Sequence, residues 1–194
     1  MLASLALVRL GRFRGKMSFA GMITAPLVMP EVITGLSLLL LFVAMEKSFG
    51  WPGGRGMLTI WIAHVTFSTA FVTVILSSRL KEIDRSLEEA GMDLGASPLK
   101  VFFVITIPII TPALLAAWLL AFTLSLDDLV IASFVSGPGS TTLPMKVFSS
   151  VRLGISPKIN ALASIIIALV SLGVLTAGWI VRGWERKKTL GIPQ

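Results

Sequence analysis

An all-α protein that crosses a lipid bilayer several times is the fold class this sequence predicts, on three observations. Apolar residues make up 55% of the 194-residue chain, and its mean hydropathy is +0.89. Charged residues make up only 14%, against about 25% in an ordinary soluble domain. The apolar residues also gather into four long runs, at residues 20–44, 57–78, 101–124 (staying apolar toward Val135) and 161–181. Each meets the roughly 20 residues that a helix rising ~1.5 Å per residue needs to cross a hydrocarbon core of ~30 Å. Backbone groups in lipid must pair within their own segment, so helix is the expected form. The period-2 alternation of a membrane barrel is absent from the sequence.

Composition excludes other classes. There is no cysteine, hence no disulfide framework, thiolate metal site or cysteine nucleophile. One histidine and no tyrosine leave little material for acid–base catalysis. "SGPGST" at 136–141 hints at a phosphate cradle but lacks the Lys-Ser/Thr ending of a nucleotide loop, so this chain is not expected to hydrolyse ATP itself. No metal-ligand spacing is present, and no cofactor is expected. The net charge of +7 does not point to nucleic acid, because the basic residues flank the apolar runs. Their expected partner is the bilayer.

Taken in order, residues 1–10, "MLASLALVRL", are too short to span and carry their positive charge after the apolar run, unlike a secretory signal. They read as the exit end of a helix begun upstream, an N-terminal remnant, with a short interfacial helix as the alternative. About four complete spans follow. The basic residues then set the orientation. Arg9, Arg12, Arg14 and Lys16, the group Arg79, Lys81, Arg85 and Lys100, and the group Arg182, Arg186, Lys187 and Lys188 fall on one side. Lys47, Arg55, Lys146, Arg152 and Lys158 fall on the other. The richer side, with the N-terminal region and the C-terminus, is expected in the cytoplasm. "KSFGWPGGRG" and "SGPGSTTLPMKVFSSVRLGISPK" then face outward as Gly-, Pro- and Ser-rich loops, with Trp51 and Trp184 as candidate interfacial anchors. The whole chain, 1–194, reads as one transmembrane domain with a cytoplasmic loop at 79–100.

That loop has structure of its own. Leu80, Ile83 and Leu87 recur at helical spacing, and Ala90 and Gly91 continue the face with small residues that admit a close neighbour. Arg85 is placed to pair with Glu88 or Glu89. Gly95 suits a left-handed helix stop. Ser97 suits an N-cap, with Pro98 at the first helical position. The stretch therefore predicts helix, tight turn and second helix, the last running on into the third span. Periodicity alone leaves two readings open: a solvated return loop, or an elbow that tilts the span when pushed.

Glu89-Ala90-Gly91, then Gly95, then Ile105-Thr106-Ile107-Pro108 after nine residues, resembles the EAA motif of binding-protein-dependent ABC-importer permeases. Gly91 stands where the motif has alanine and Ile107 where it has leucine. The resemblance implies a MetI-like helical bundle in a bacterial inner membrane. It also implies a coupling helix, with Glu89, Ala90, Gly91, Gly95 and Pro108 coupling the permease to an ATPase. The implied partners are a second permease subunit, two ATPase subunits and a periplasmic binding protein. "APLVMPEVITGLSLLLLF", "GMLTIWIAHVTFSTAFV" and "LLAFTLSLDDLVIASFVSGPGSTTLPMKVFSSVR" are similar to polyamine permeases, most of all to the putrescine-type subunit. Members usually have six spans, so the first and most of the second are missing here. Another solute, such as ferric iron or an oxyanion, and an ion-driven secondary transporter are the alternatives.

Ionisable residues at membrane depth are costly and usually line an interior or a water path. Glu31, Asp127 and Asp128 are expected to line or flank a path for a cationic substrate, with Trp61 and Trp118 as walls and Phe67, Phe71 and Phe122 able to join them. Each has a structural alternative: a helix-end cap for the aspartates, a carboxylate in the Pro30 break for Glu31, core packing for the aromatics. His64 is expected to bond across helices.

Overall fold

The computed structural model describes residues 1–11, 13–152, 154, 157, 160–172 and 175. Arg12, Lys158, Trp184, the basic tail and all but one residue of 173–181 lie outside them. The chain is an all-helical, polytopic membrane bundle with no strand among the described residues. Its first compact unit runs from Met1 to Met145 and the second from Lys146 onward. The helices are α1 (Leu2–Arg9), α2 (Lys16–Val28), α3 (Glu31–Phe49), α4 (Met57–Glu82), α5 (Arg85–Asp93) and α6 (Pro98–Val101). A π-helical turn (Phe102–Thr106) leads into α7 (Ile107–Asp127), followed by α8 (Val130–Val135) and α9 (Leu143–Arg152). A further apolar helix, α10, occupies Asn160–Leu172, the described part of the fourth expected span.

Three stretches are long and apolar enough to cross a membrane: Glu31–Phe49, Met57–Glu82 and Pro98–Asp127. The first corrects the sequence reading. Residues 20–44 do not form one helix; they are divided at Met29 and Pro30, both in extended backbone with ψ of 136° and 137°. Proline lacks the amide hydrogen that would continue the ladder, and it disfavours helical geometry in the residue before it. α3 then runs to Phe49, where Gly50 turns left-handed (φ 69°) and its amide bonds back to the Glu46 carbonyl. α4 starts where expected but continues past Ser78 to Glu82, its last turn carrying Arg79 and Lys81. Basic side chains favour a helix C-terminus, and at that point the helix can leave the apolar layer. The third span begins at Ser97, whose Oγ accepts from the Lys100 amide, with Pro98 at the first position, as expected.

α4 is the central strut, packing against α1, α2, α7 and α8. Leu38, Phe42, Ile60, Ala63, Phe67, Ile131 and Val135 join α3, α4 and α8 in one core. Leu80, Ile83 and Ile110 form a second, lined by Leu5 and Val8 of α1. Lipid supplies little hydrophobic drive between helices, so close packing and interhelical hydrogen bonds must hold them. Ala63, Ala70 and Ala117 are buried accordingly, and the fully buried Ser4 hydroxyl donates to the Thr73 carbonyl at 3.3 Å. Thr59 opens α4 by accepting from the Gly56 amide, and its hydroxyl donates to the Val135 carbonyl at 2.7 Å. The loop before α4 and the loop after α8 mesh closely: a Cβ at Gly137 would stand 2.0 Å from the Arg55 carbonyl oxygen.

Gly35 sets the α3–α8 distance, since a Cβ there would meet the Phe134 ring at 2.7 Å and the Ile131 Cα at 3.3 Å. Gly35→Leu is expected to cost about 1–3 kcal/mol by overpacking. Gly21 in α2 has open space at its Cβ position, so Gly21→Ala should stabilise by about 0.5–1 kcal/mol. Thermal unfolding of the purified chain in detergent checks both signs.

Candidate functional site

Two groups of residues carry chemistry, one at the elbow between α4 and α7 and one near the far end of α7.

The elbow starts at Asp84, which leaves α4 in extended backbone and accepts the Ser86 amide at 3.0 Å, capping α5. That amide bond, with a further bond from the Ser86 side chain, holds the exposed Asp84 carboxyl below its ordinary range. The capping contribution is therefore present above the usual carboxylate pKa and fades as pH falls through the lowered one. α5 ends in paired bonds from the Ala96 amide to the Gly91 carbonyl (3.1 Å) and from the Gly95 amide to the Met92 carbonyl (2.8 Å). Gly95 takes φ +83° with nothing within 4 Å of its Cβ position, so backbone conformation requires the glycine there and packing does not.

Gly91 is the packing glycine. A Cβ there would meet Ile105 Cδ1 at 2.7 Å and Val101 Cγ2 at 3.2 Å, so α5 lies close against the π turn. The close neighbour that its small size admits is thus this chain's own next helix. Glu89, Ala90, Leu94 (89% exposed) and Leu99 (72%) face away from it. The expected Arg85 pairing is corrected. Arg85 donates to the Val8 carbonyl at 3.2 Å, and Glu88 instead accepts from Arg9 and from Thr106, both at 3.0 Å. The acceptor of Arg85 and one of the two donors to Glu88 sit on α1, a long-range approach that helical spacing within α5 does not reveal. The stripe is also shorter than expected, because the chain breaks at Ile83 and leaves Leu87 exposed. Pro108 follows the π turn. Its ring needs room at the Val104 carbonyl and it cannot donate, which accounts for the widened ladder in which Ile107 bonds to Phe102.

At the far end of α7 the two aspartates part ways. Asp128 is 9% exposed, and its carboxylate accepts the Ile131 amide (3.1 Å) and the Ala132 amide (2.8 Å), capping α8. It also bonds His64 Nε2 at 2.9 Å, while His64 Nδ1 meets the Ser125 hydroxyl at 2.7 Å. With a carboxylate accepting at Nε2, a neutral ring carries its proton there and Nδ1 accepts from Ser125. Asp127 is exposed, and so is Glu31 in the first turn of α3, clear of any span interior. An open groove of about 410 Å³ between α4 and α7 gathers Trp61, Trp118, Phe122, His64 and Ser125. Trp118 and Phe122 stack at 5.7 Å and 17°. Phe67 is 7% exposed in the core, edge-on to Phe71, and so belongs to packing and not to a wall. Among the described residues no cluster suits a metal ion.

A family described as the binding-protein-dependent transport system inner membrane component matches residues 1–189. The putrescine transport system permease protein PotI of Escherichia coli K12 is 67% identical over 187 residues, covering 96% of this chain and 66% of that protein. The spermidine/putrescine permease PotC of the same strain is 40% identical over 188 residues, covering 97% and 69%. A PotC homolog of Mycoplasma pneumoniae is 35% identical over 175 residues, covering 90% and 59%. The chain thus spans about two thirds of the length of the curated relatives it matches.

The two aspartates should separate in a thermal unfolding assay. Asp128→Ala strips two amides and His64 of their acceptor and is expected to destabilise by about 1–3 kcal/mol. Asp127→Ala, at an exposed position, should stay within about 0.5 kcal/mol of the parent. Gly95→Ala forces a side chain into left-handed backbone and should cost about 1–2 kcal/mol.

Proposed function

Since the chain belongs to the binding-protein-dependent transport system inner membrane component family, we propose that it is the permease subunit of an ATP-driven polyamine importer. It works beside a second permease subunit. Two ATPase subunits dock on the cytoplasmic elbow, and a periplasmic polyamine-binding protein delivers cargo to the outer face. The observation that carries this reading is the two-sided elbow. Its inner face is locked to the root of a spanning helix, while Glu89, Ala90, Leu94 and Leu99 are left exposed for a partner. A partner that grips this face and moves it moves α7, because α6, the π turn and α7 form one unbroken helix from Pro98 to Asp127.

The cargo reading is supported by charge. The apolar stretches 57–78 and 101–126 contain no Lys or Arg, whereas an oxyanion path would need cationic groups at depth. A polyamine is a row of ammonium groups joined by methylenes. Exposed carboxylates replace part of the water it sheds, and aromatic faces attract ammonium groups and cover methylenes. Asp127 and Glu31 supply the first; Trp61, Trp118 and Phe122 supply the second. Asp128 serves the path indirectly, by holding His64 against the groove. Several weak contacts suit a cargo that must also leave. The positive-inside distribution supports a cytoplasmic position for the elbow and both chain ends.

Labelled putrescine uptake by the assembled transporter tests the reading. Asp127→Asn is expected to lower uptake about tenfold, the worth of one good charge contact, with unchanged membrane levels. Unchanged uptake would remove Asp127 from the path. Ala90→Cys or Leu94→Cys, in a chain with no native cysteine, should crosslink to the ATPase in membranes. Failure of both to capture it would sink the importer assignment.

A further inference from the structure

We propose that Glu88, which precedes the matched motif, is the positioning residue that ties the elbow to two membrane-associated helices at once, an inference that rests on the importer reading for its consequence but not for its geometry. One oxygen, Oε1, accepts from Arg9 Nη2 of α1 and from Thr106 Oγ1 of the π turn, both at 3.0 Å. The ion pair is mostly withdrawn from solvent, with side chains 17% and 19% exposed, and Thr106 is 2% exposed. A partly buried pair of this kind costs more to break than a surface pair, because the remaining charge is left without a counterpart. Arg9 Nε is itself buried without a hydrogen-bond partner among the described residues. The carboxylate of Glu88 therefore anchors the guanidinium.

Thr106 shows that the contact is specific. Four threonines along α4 and α7 return their hydroxyls to the carbonyl four residues back, Thr66 to Ile62, Thr69 to Val65, Thr111 to Ile107 and Thr123 to Leu119, whereas the buried Thr59 reaches across to Val135. Such back-bonding is the ordinary choice in an apolar surrounding. Thr106, like Thr59, departs from back-bonding and reaches across, here to α5, from the last position of the π turn, immediately before α7 starts. A π turn is a place where a helix can change its winding while its amides keep partners within the helix. Gly91 presses α5 against Val101, just before this turn, and Ile105 within it, while Glu88 grips Thr106, its last residue. A displacement of α5 is thus applied at the end of the turn that adjoins α7, so little of it is left to be absorbed in the turn. The same carboxylate passes the displacement to α1 through Arg9, and Arg85 on the Val8 carbonyl guides that approach. Loss of Glu88 would leave the elbow docked on its motor but slipping against both helices.

The absence of cysteine permits pairs of spin labels in the assembled transporter, one at Ser86→Cys on α5 and the other at Leu10→Cys beside α1 or at Leu119→Cys on α7. Narrow distance distributions are expected for both pairs in the parent. Glu88→Ala should broaden both, Thr106→Val only the α5–α7 pair, and Thr106→Ser neither. Should Glu88→Ala not accumulate, Glu88→Gln and Thr106→Val make the same test, each weakening one arm. In proteoliposomes, putrescine moved per ATP hydrolysed should fall about tenfold in Glu88→Ala, within the usual range of coupling between sites, while ATP hydrolysis continues. Unchanged distances, or an unchanged transport-to-hydrolysis ratio beside a transporting parent, would overturn the proposal. A parent assembly that hydrolyses ATP but moves no polyamine would instead remove the importer reading, and the distance distributions would still decide the role of Glu88.

Discussion

Every backbone amide and carbonyl inside the apolar layer must find a partner within protein, and the rest of the structure follows from how the chain meets that demand. Uninterrupted helix meets it directly in α4. At three places where the helix is broken, begun or widened, a local substitute is present. At the α7–α8 break the Asp128 carboxylate takes up the Ile131 and Ala132 amides. At the head of α4 Thr59 serves Gly56 and Val135 together. At the root of α7 the π turn keeps its bonds by lengthening them to five residues, as Ile107 to Phe102 shows. Each of these three is a site where a side chain or a wider winding has been recruited, and two of them, Asp128 and the π turn, are where the candidate chemistry gathers.

What the sequence revealed was what local chemistry decides. The helical membrane class came from composition and run length. Gly95, Ser97 and Pro98 announced the turn inside the elbow because each acts within its own four residues. Proline explained as much as it concealed: Pro30 was seen as loosening one helix, whereas it divides that helix, because extended backbone is needed at Met29 as well. The π turn had no warning beyond Pro108, and a proline in a first helical turn is usually read as ordinary. The misplaced ion pair shows the limit most clearly. Arg85 and Glu88 have the right spacing for each other, but both are drawn to α1, more than 70 residues away in sequence, and no periodicity within α5 carries that information.

The same limit explains the adjacent aspartates. Side by side in sequence they look equivalent. One faces inward to cap α8 and hold His64, 64 residues away, and the other is exposed. Only the position of the helix end distinguishes them, and helix ends are what sequence places least well. The aromatics divided in the same manner, with Phe67 in the core and Trp61, Trp118 and Phe122 on the groove. A residue type suited to cation recognition is equally suited to packing, and burial decides between them.

The meshing of loops at Gly137 and Arg55 leaves no room there even for a methyl group. The loop before α4 and the loop after α8 are therefore seamed at this point, so that neither can shift here without carrying the other.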